Sequence, residues 1–262
     1  MPPMETLDLS LSQQRIFRRI LGINFFVGDA PSAVELGCEG GLVVVPAAPA
    51  LVNLNRDRDY RQALLEADLV LTDSGFMVLL WNLLMSDRVQ RVSGLEYLQL
   101  LLQRPEFREP GNTFWVMPTQ AAIERNVNWL RRKGFPVNRS DFYAAPKYPQ
   151  EALADSTLLR IIESRCPRHV IIAIGGGTQE KLGLYLKGNC PSSTTSIHCI
   201  GAAIGFLTGD QVRIPMWADR WILGWLFRCV SRPGRFVPRY ARALSLAFVL
   251  WRYRADMPDL LS

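Results

Sequence analysis

The sequence predicts an α/β fold: a mostly parallel sheet flanked by helices, followed by a helical appendage rich in arginine and tryptophan. Three observations predict it. Short apolar runs at 42–45, 170–174 and 196–200 alternate with amphipathic stretches at helical spacing, the pattern of strands buried on both faces. The chain of 262 residues is 48% hydrophobic and 21% charged, which suits one large packed domain or a core with a small addition. Beyond Asp210, Trp217, Trp221, Ile222, Trp225, Leu226 and Phe227 recur at helical spacing with arginines between them. The expected division is therefore a core over 1–210 and an appendage over 211–262.

Taken in order, residues 1–9 read as a loose tail and 11–21 as a helix ended by Gly22. A strand is expected at 23–27, and a short helix opened by Pro31-Ser32 and running to Leu36. The run Leu42-Val43-Val44-Val45 reads as a buried strand, and 49–67 as one helix. A second strand over 68–72 leads into Asp73-Ser74-Gly75. The next segment, 76–85, is almost wholly apolar and reads as a buried helix; 95–102 continues helical after Gly94. Then come a strand at 113–117, a helix at 121–133, a short strand at 142–144 and a helix at 151–164. A strand at 170–174 ends in Gly175-Gly176-Gly177, a helix is expected near 179–187, and a last strand at 196–200 ends at Gly201.

In such sheets ligands bind beyond the C-terminal strand ends. Asp73, Gly175 to Glu180 and Gly201 all fall there. A carboxylate at a strand end can act as a general base or merely cap the next helix. The stretch Gly175-Gly176-Gly177-Thr178-Gln179-Glu180 joins a strand to a helix, where glycines admit a close ligand and the helix N-terminus favours phosphate. It is neither a dinucleotide fingerprint nor a Walker loop. Asp57-Arg58-Asp59 has the form of a metal-binding D-x-D, but in a helix positions i and i+2 do not face one another, so a solvated charge cluster is the better reading. His169 and His198 form no hydrolase triad, and the five scattered cysteines suggest neither a disulfide framework nor a zinc site.

The net charge is +6. From Arg213 to Arg254 the chain carries nine arginines and no lysine, and Asp219 is the one acid in that stretch. Interleaved tryptophan, leucine and arginine fit an anionic membrane surface better than nucleic acid. No uncharged apolar run is long enough for a transmembrane helix, and no signal peptide is evident.

Several ordered segments resemble the WecG/TagA/CpsF glycosyltransferase family (glycosyltransferase family 26). They are Ala67 to Gly75; Arg91-Val92-Ser93-Gly94-Leu95-Glu96; Gly175 to Glu180; Ile200-Gly201 through Gly209 with Arg213-Ile214-Pro215-Met216-Trp217; and Trp225 to Arg228, Arg232-Pro233, Arg235 and Arg239-Tyr240. The resemblance implies a Rossmann-like core with a membrane-facing appendage. It also implies inverting transfer, without metal or other cofactor, from a UDP-sugar to a polyprenyl-diphosphate-linked saccharide at the cytoplasmic face of the membrane.

By that resemblance Asp73 is the base, and Gly175, Gly176, Gly177, Gln179, Glu180 and Gly201 hold the donor. Arg91, Arg213, Arg228, Arg235 and Arg239 meet the acceptor diphosphate or the membrane. A homo-oligomer is compatible with it. The chain departs from the family pattern at Val45 and Ala47, where Thr and Asn are usual, at Ser74 in place of Gly, at Gly177 in place of Pro, and at Met117-Pro118 in place of a glycine pair. These departures open a second reading, an inactive relative that scaffolds other polysaccharide enzymes.

Overall fold

The computed structural model describes residues 16–149, 153–190, 194–209 and 243–260, with the single positions 230, 234 and 241. Its centre is an eight-stranded sheet in the order β1-β2-β4-β3-β8-β7-β5-β6. The strands are β1 (Phe17–Ile20), β2 (Ile23–Phe26), β3 (Gly41–Val44), β4 (Leu69–Leu71), β5 (Thr113–Met117), β6 (Phe142–Ala144), β7 (His169–Ile172) and β8 (Ser196–Cys199). All neighbours pair in parallel except β1 with β2. The expected mixed α/β, mostly parallel, Rossmann-like architecture is thus present.

Side-chain alternation along the strands feeds two cores, one on each face of the sheet. On one face Phe25, Leu42, Val44, Val70, Val170 and Ile172 meet α2 (Ala48–Leu51), α3 (Arg58–Leu65), α4 (Gly75–Met85), α7 (Ser156–Arg165), α8 (Thr178–Asn189) and α10 (Ser245–Tyr253). On the other, Phe26, Val43, Leu71, Trp115 and Ile171 meet α1 (Ala30–Gly37), α5 (Gly94–Leu101), α6 (Gln120–Arg132) and α9 (Ala203–Thr208). The two halves of the chain, β2-β4-β3 and β8-β7-β5-β6, join where β3 pairs with β8, Val44 opposite Cys199. The helix after β3, α2, packs on one face of the sheet and the helix after β8, α9, on the other. In open α/β sheets ligands bind beyond the C-terminal strand ends at such a point.

The structure corrects four expectations. The predicted helix over 11–21 is a strand from Phe17 onward; its first residues lie outside those described. Leu21 (φ 50°) and Gly22 (φ 75°) form a two-residue turn with both φ positive, which folds β1 back on β2 with Ile20 opposite Ile23. The single helix over 49–67 is broken into α2, a 3₁₀ turn at Val52–Asn55, and α3. Asp57 restarts it by accepting the N–H of Tyr60. The helix expected from 151 begins at Ser156, capped by Asp155, which accepts the N–H of Leu158. Finally α4 forms as expected but is not wholly buried: Met77, Val78 and Trp81 are covered, whereas Leu79 and Leu83 are exposed.

Candidate active site

Asp73 stands two residues past β4, at a position set by the helix after it. Ser74 accepts the N–H of Met77 and so starts α4, leaving Asp73 outside the helix at the sheet's C-terminal edge. Its carboxylate is held through one oxygen. Oδ1 accepts the N–H of Gly94 at 2.9 Å and lies 3.5 Å from the guanidinium of Arg91. Arg91 also donates its Nε–H to the Asp73 carbonyl at 2.7 Å. Among the described residues Oδ2 accepts no hydrogen bond, and the side chain is 27% exposed. Nearby Thr72 fixes the 90–92 segment: its hydroxyl donates to the Gln90 carbonyl and accepts the N–H of Val92.

Three strand-widths away, about 14 Å at the usual spacing of neighbouring strands, β7 runs out into the triple glycine. Gly175 (φ 116°) and Gly177 (φ 94°) take backbone conformations that side chains rarely adopt. The N–H of Gly177 donates to Oε2 of Glu180 at 2.6 Å. This bond explains the departure at 177: proline has no N–H and its φ is locked near −65°. With Gly177 the loop has its own geometry and its own tether.

Gln179 and Glu180 are buried below the loop. Gln179 spans to β8, donating Nε2–H to the Cys199 carbonyl at 3.2 Å and accepting the N–H of Gly201 on Oε1 at 2.9 Å. It donates also to Oε1 of Glu180 at 3.1 Å. Gln179 thus ties the start of α8 to the end of β8 from a buried position. Burial raises the Glu180 carboxyl to about 7, against the downward pull of the hydrogen bonds from Gln179 and Gly177 and the charge of Lys181.

Between Asp73 and the glycines lie the ends of β3 and β8. Ala47 occupies the N-cap of α2 with no side-chain hydrogen bond, so the Asn usual there would have supplied a cap that this chain lacks. Val45 is buried and packs on Gly94. Gly176 faces Ala50 of α2. Asp57 caps α3 and pairs with Lys181 at 3.1 Å, so the D-x-D is structural. Among the described residues no cluster of three metal-ligating side chains occurs. Arg213, Arg228, Arg235 and Arg239 lie outside the described residues.

Sequence reasoning misses Thr72 and Gly94 as partners of this site. It assigns Arg91 to acceptor phosphate or membrane, and the structure sets that arginine against Asp73. The Arg-Val-Ser-Gly segment carries the signal, because its glycine precedes a helix and its arginine lies a short loop beyond a strand end.

The arrangement is a strand-end carboxylate past β4 and, across the ends of β3 and β8, a glycine turn past β7. Compared with known families, residues 18–259 match the Glycosyl transferase WecG/TagA/CpsF family. The chain belongs to that family. No curated protein matches it. As a WecG/TagA/CpsF glycosyltransferase it works with a sugar donor and an acceptor, and the match runs through both the sheet and the C-terminal residues. No described helix is long and apolar enough to cross a membrane.

Proposed function

We propose that the protein moves a hexose or N-acetylhexosamine from a UDP-sugar to a polyprenyl-diphosphate-linked saccharide, with inversion, during bacterial surface polysaccharide synthesis at the inner face of the cell membrane. The observation that carries this reading is Asp73. It is a strand-end carboxylate held on Oδ1 by Gly94 and Arg91, with Oδ2 turned to no described partner. Oδ2 takes the proton of an acceptor hydroxyl while that oxygen attacks the anomeric carbon; the bond from that carbon to the phosphate oxygen breaks and UDP departs. Backbone N–H groups of Gly175 and Gly176 offset the charge that develops on UDP, while the Gly177 N–H holds the turn through Glu180. The 211–262 appendage brings Arg213, Arg228, Arg235 and Arg239 to the acceptor diphosphate, a task for which a planar guanidinium is suited.

The test is Asp73→Asn, whose Oδ1 can still accept the Gly94 N–H. Purified protein is given a synthetic polyprenyl-diphosphate sugar and a panel of UDP-sugars, and products are identified by mass. The variant is expected to lose at least about 10²-fold in kcat with an unchanged Tm. Turnover near the wild-type rate defeats the assignment of the base.

The missing cap at Ala47 favours one other reading, a scaffold without catalysis. Wild-type protein that gains no thermal stability from any UDP-sugar, and yields no product, supports that alternative.

A further inference from the structure

We infer that binding of the donor diphosphate at the glycine turn is coupled to a proton taken up by Glu180, which makes this buried side chain a positioning residue and donor affinity dependent on pH. The coupling rests on the reading of the Gly175–Gly177 turn as the donor site.

It begins with where the carboxylate lies. Glu180 has no exposed surface, whereas Gly176 above it is exposed. A methyl group added to Gly176 would stand 3.9 Å from Oε1 of Glu180. The Gly177 N–H donates to Oε2 at 2.6 Å. The carboxylate therefore lies against the underside of the turn. A diphosphate held by the N–H groups of Gly175 and Gly176, at the ~3 Å of an ordinary hydrogen bond, meets the turn from the solvent side. One layer of backbone then separates two anions, and like charges so placed disfavour each other's ionised form. The donor cannot respond, because its diphosphate is esterified at both ends and lacks the phosphate ionisation near ~6. The carboxyl can.

Its surroundings allow either form. Burial raises the Glu180 carboxyl to about 7, while Gln179, Gly177 and Lys181 pull it down. Lys181, next along α8, is paired with Asp57 at the start of α3 at 3.1 Å. Tyr60 of α3 and Cys199 of β8 both feel the Glu180 charge, and burial raises both well above their usual values. The Tyr60 hydroxyl is buried and has no hydrogen-bond partner among the described residues. Its oxygen offers an acceptor for the O–H of a protonated carboxyl, whose other oxygen can keep the Gly177 N–H. Protonation thus need not untie the turn.

The balance is simple. As the donor binds, the Glu180 carboxylate takes one proton from solvent and becomes the neutral acid. When UDP has left, that proton returns to solvent. No bond of the donor is made or broken by Glu180. Affinity is constant well below the value of the free carboxyl. It falls as pH rises through that value, until the carboxyl of the bound state also ionises.

The experiment is isothermal titration calorimetry of the full chain with UDP, at about pH 8 in Tris and in HEPES, whose ionisation heats differ. The affinity is also followed from about pH 7.5 to about 9, where the terminal phosphate of UDP is already fully charged. A tenfold rise in the proton affinity of Glu180 gives an uptake of about 0.4 proton at pH ~8 and a Kd that weakens about threefold over the range; these are the smallest effects expected. Glu180→Gln carries no charge and keeps an oxygen for the Gly177 N–H. It should bind UDP with no buffer dependence and with a Kd that does not move with pH. A purely structural Glu180 would alter affinity without altering protonation. Wild type that binds UDP with no proton uptake overturns the coupling, as does a variant that keeps the wild-type uptake. Uptake is read on wild type, so the result stands whether or not the variant folds. Wild type that binds no UDP at any pH is a different failure: it removes the donor site itself, and the coupling with it.

Discussion

The backbone N–H of Gly177 donates to Oε2 of Glu180 at 2.6 Å, tying the last glycine of the loop to a carboxylate with no exposed surface. The same carboxylate accepts from Gln179, which reaches on to Cys199 and Gly201. One buried side chain therefore couples the shape of the glycine turn to the end of the neighbouring strand. Both lie just beyond the C-terminal ends of β7 and β8.

That coupling predicts a pH dependence of stability. Burial raises the Glu180 carboxyl from 4.5 to about 7. A group whose folded value is raised contributes stability that is fully present below the unfolded value and lost as pH passes through the folded one. Wild type should therefore lose stability between pH 4.5 and about 7 through this group. The amount is about 3 kcal/mol, taking roughly 1.4 kcal/mol per unit. Glu180→Gln removes the ionisation while keeping an oxygen to accept one bond. The difference in urea unfolding free energy, variant minus wild type, should rise across that window and level off above it. A difference that stays constant from pH 4.5 to 8 would show that the carboxyl is not perturbed by its burial.

The glycine turn predicts opposite outcomes for two glycines close in sequence. At Gly177, φ 94° and ψ −55° are strained for any side chain, although a methyl group there would meet nothing within 4 Å. Gly177→Ala should cost about 1–3 kcal/mol from backbone strain alone and weaken UDP-sugar binding by distorting the cradle. Gly188, inside α8, also has open space but ordinary helical geometry. Gly188→Ala should stabilise by up to about 1 kcal/mol and leave binding unchanged. Thermal unfolding of the two variants, with and without UDP, checks both. Equal effects at the two positions would mean that the turn is not strained as described.

The strand ends are legible because fully buried parallel strands leave continuous apolar runs such as Leu42-Val43-Val44 and Val170-Ile171-Ile172, and glycines or small residues lie just beyond them. Asp73 and Gly175 to Glu180 can be placed at the sheet edge on that basis. The antiparallel hairpin at Phe17–Ile20 is not legible. Arg18 and Arg19 give no alternation of buried and polar positions, and its turn sets a leucine rather than the usual Asn or Gly at positive φ. The exposure of Leu79 and Leu83 is hidden for a related reason: a helix apolar on every side gives no sign of which face is covered. The role of Arg91 cannot be seen either, since its grip on Asp73 spans 18 residues and depends on Thr72 fixing the loop between them.

Gly94 donates its N–H to Asp73, and it does so from the first turn of a helix that approaches β3 closely. A methyl group at Gly94 would lie 2.8 Å from Cγ1 of Val45 and 3.7 Å from Oδ1 of Asp73. The first contact is a clash and the second an ordinary approach. Gly94→Ala must therefore push α5 away from β3, lengthening the bond to Asp73 without adding or removing any polar group. It should cost about 1–3 kcal/mol of stability, as overpacking does, and lower kcat more than it raises KM. Val45→Ala removes the atom that is struck. In the Gly94→Ala background it should recover stability and activity, giving a coupling of about 0.5–3 kcal/mol in a double-mutant cycle. If the two substitutions prove additive in both readouts, Val45 is not what limits the approach of α5, and the position of Asp73 is set by Arg91 instead.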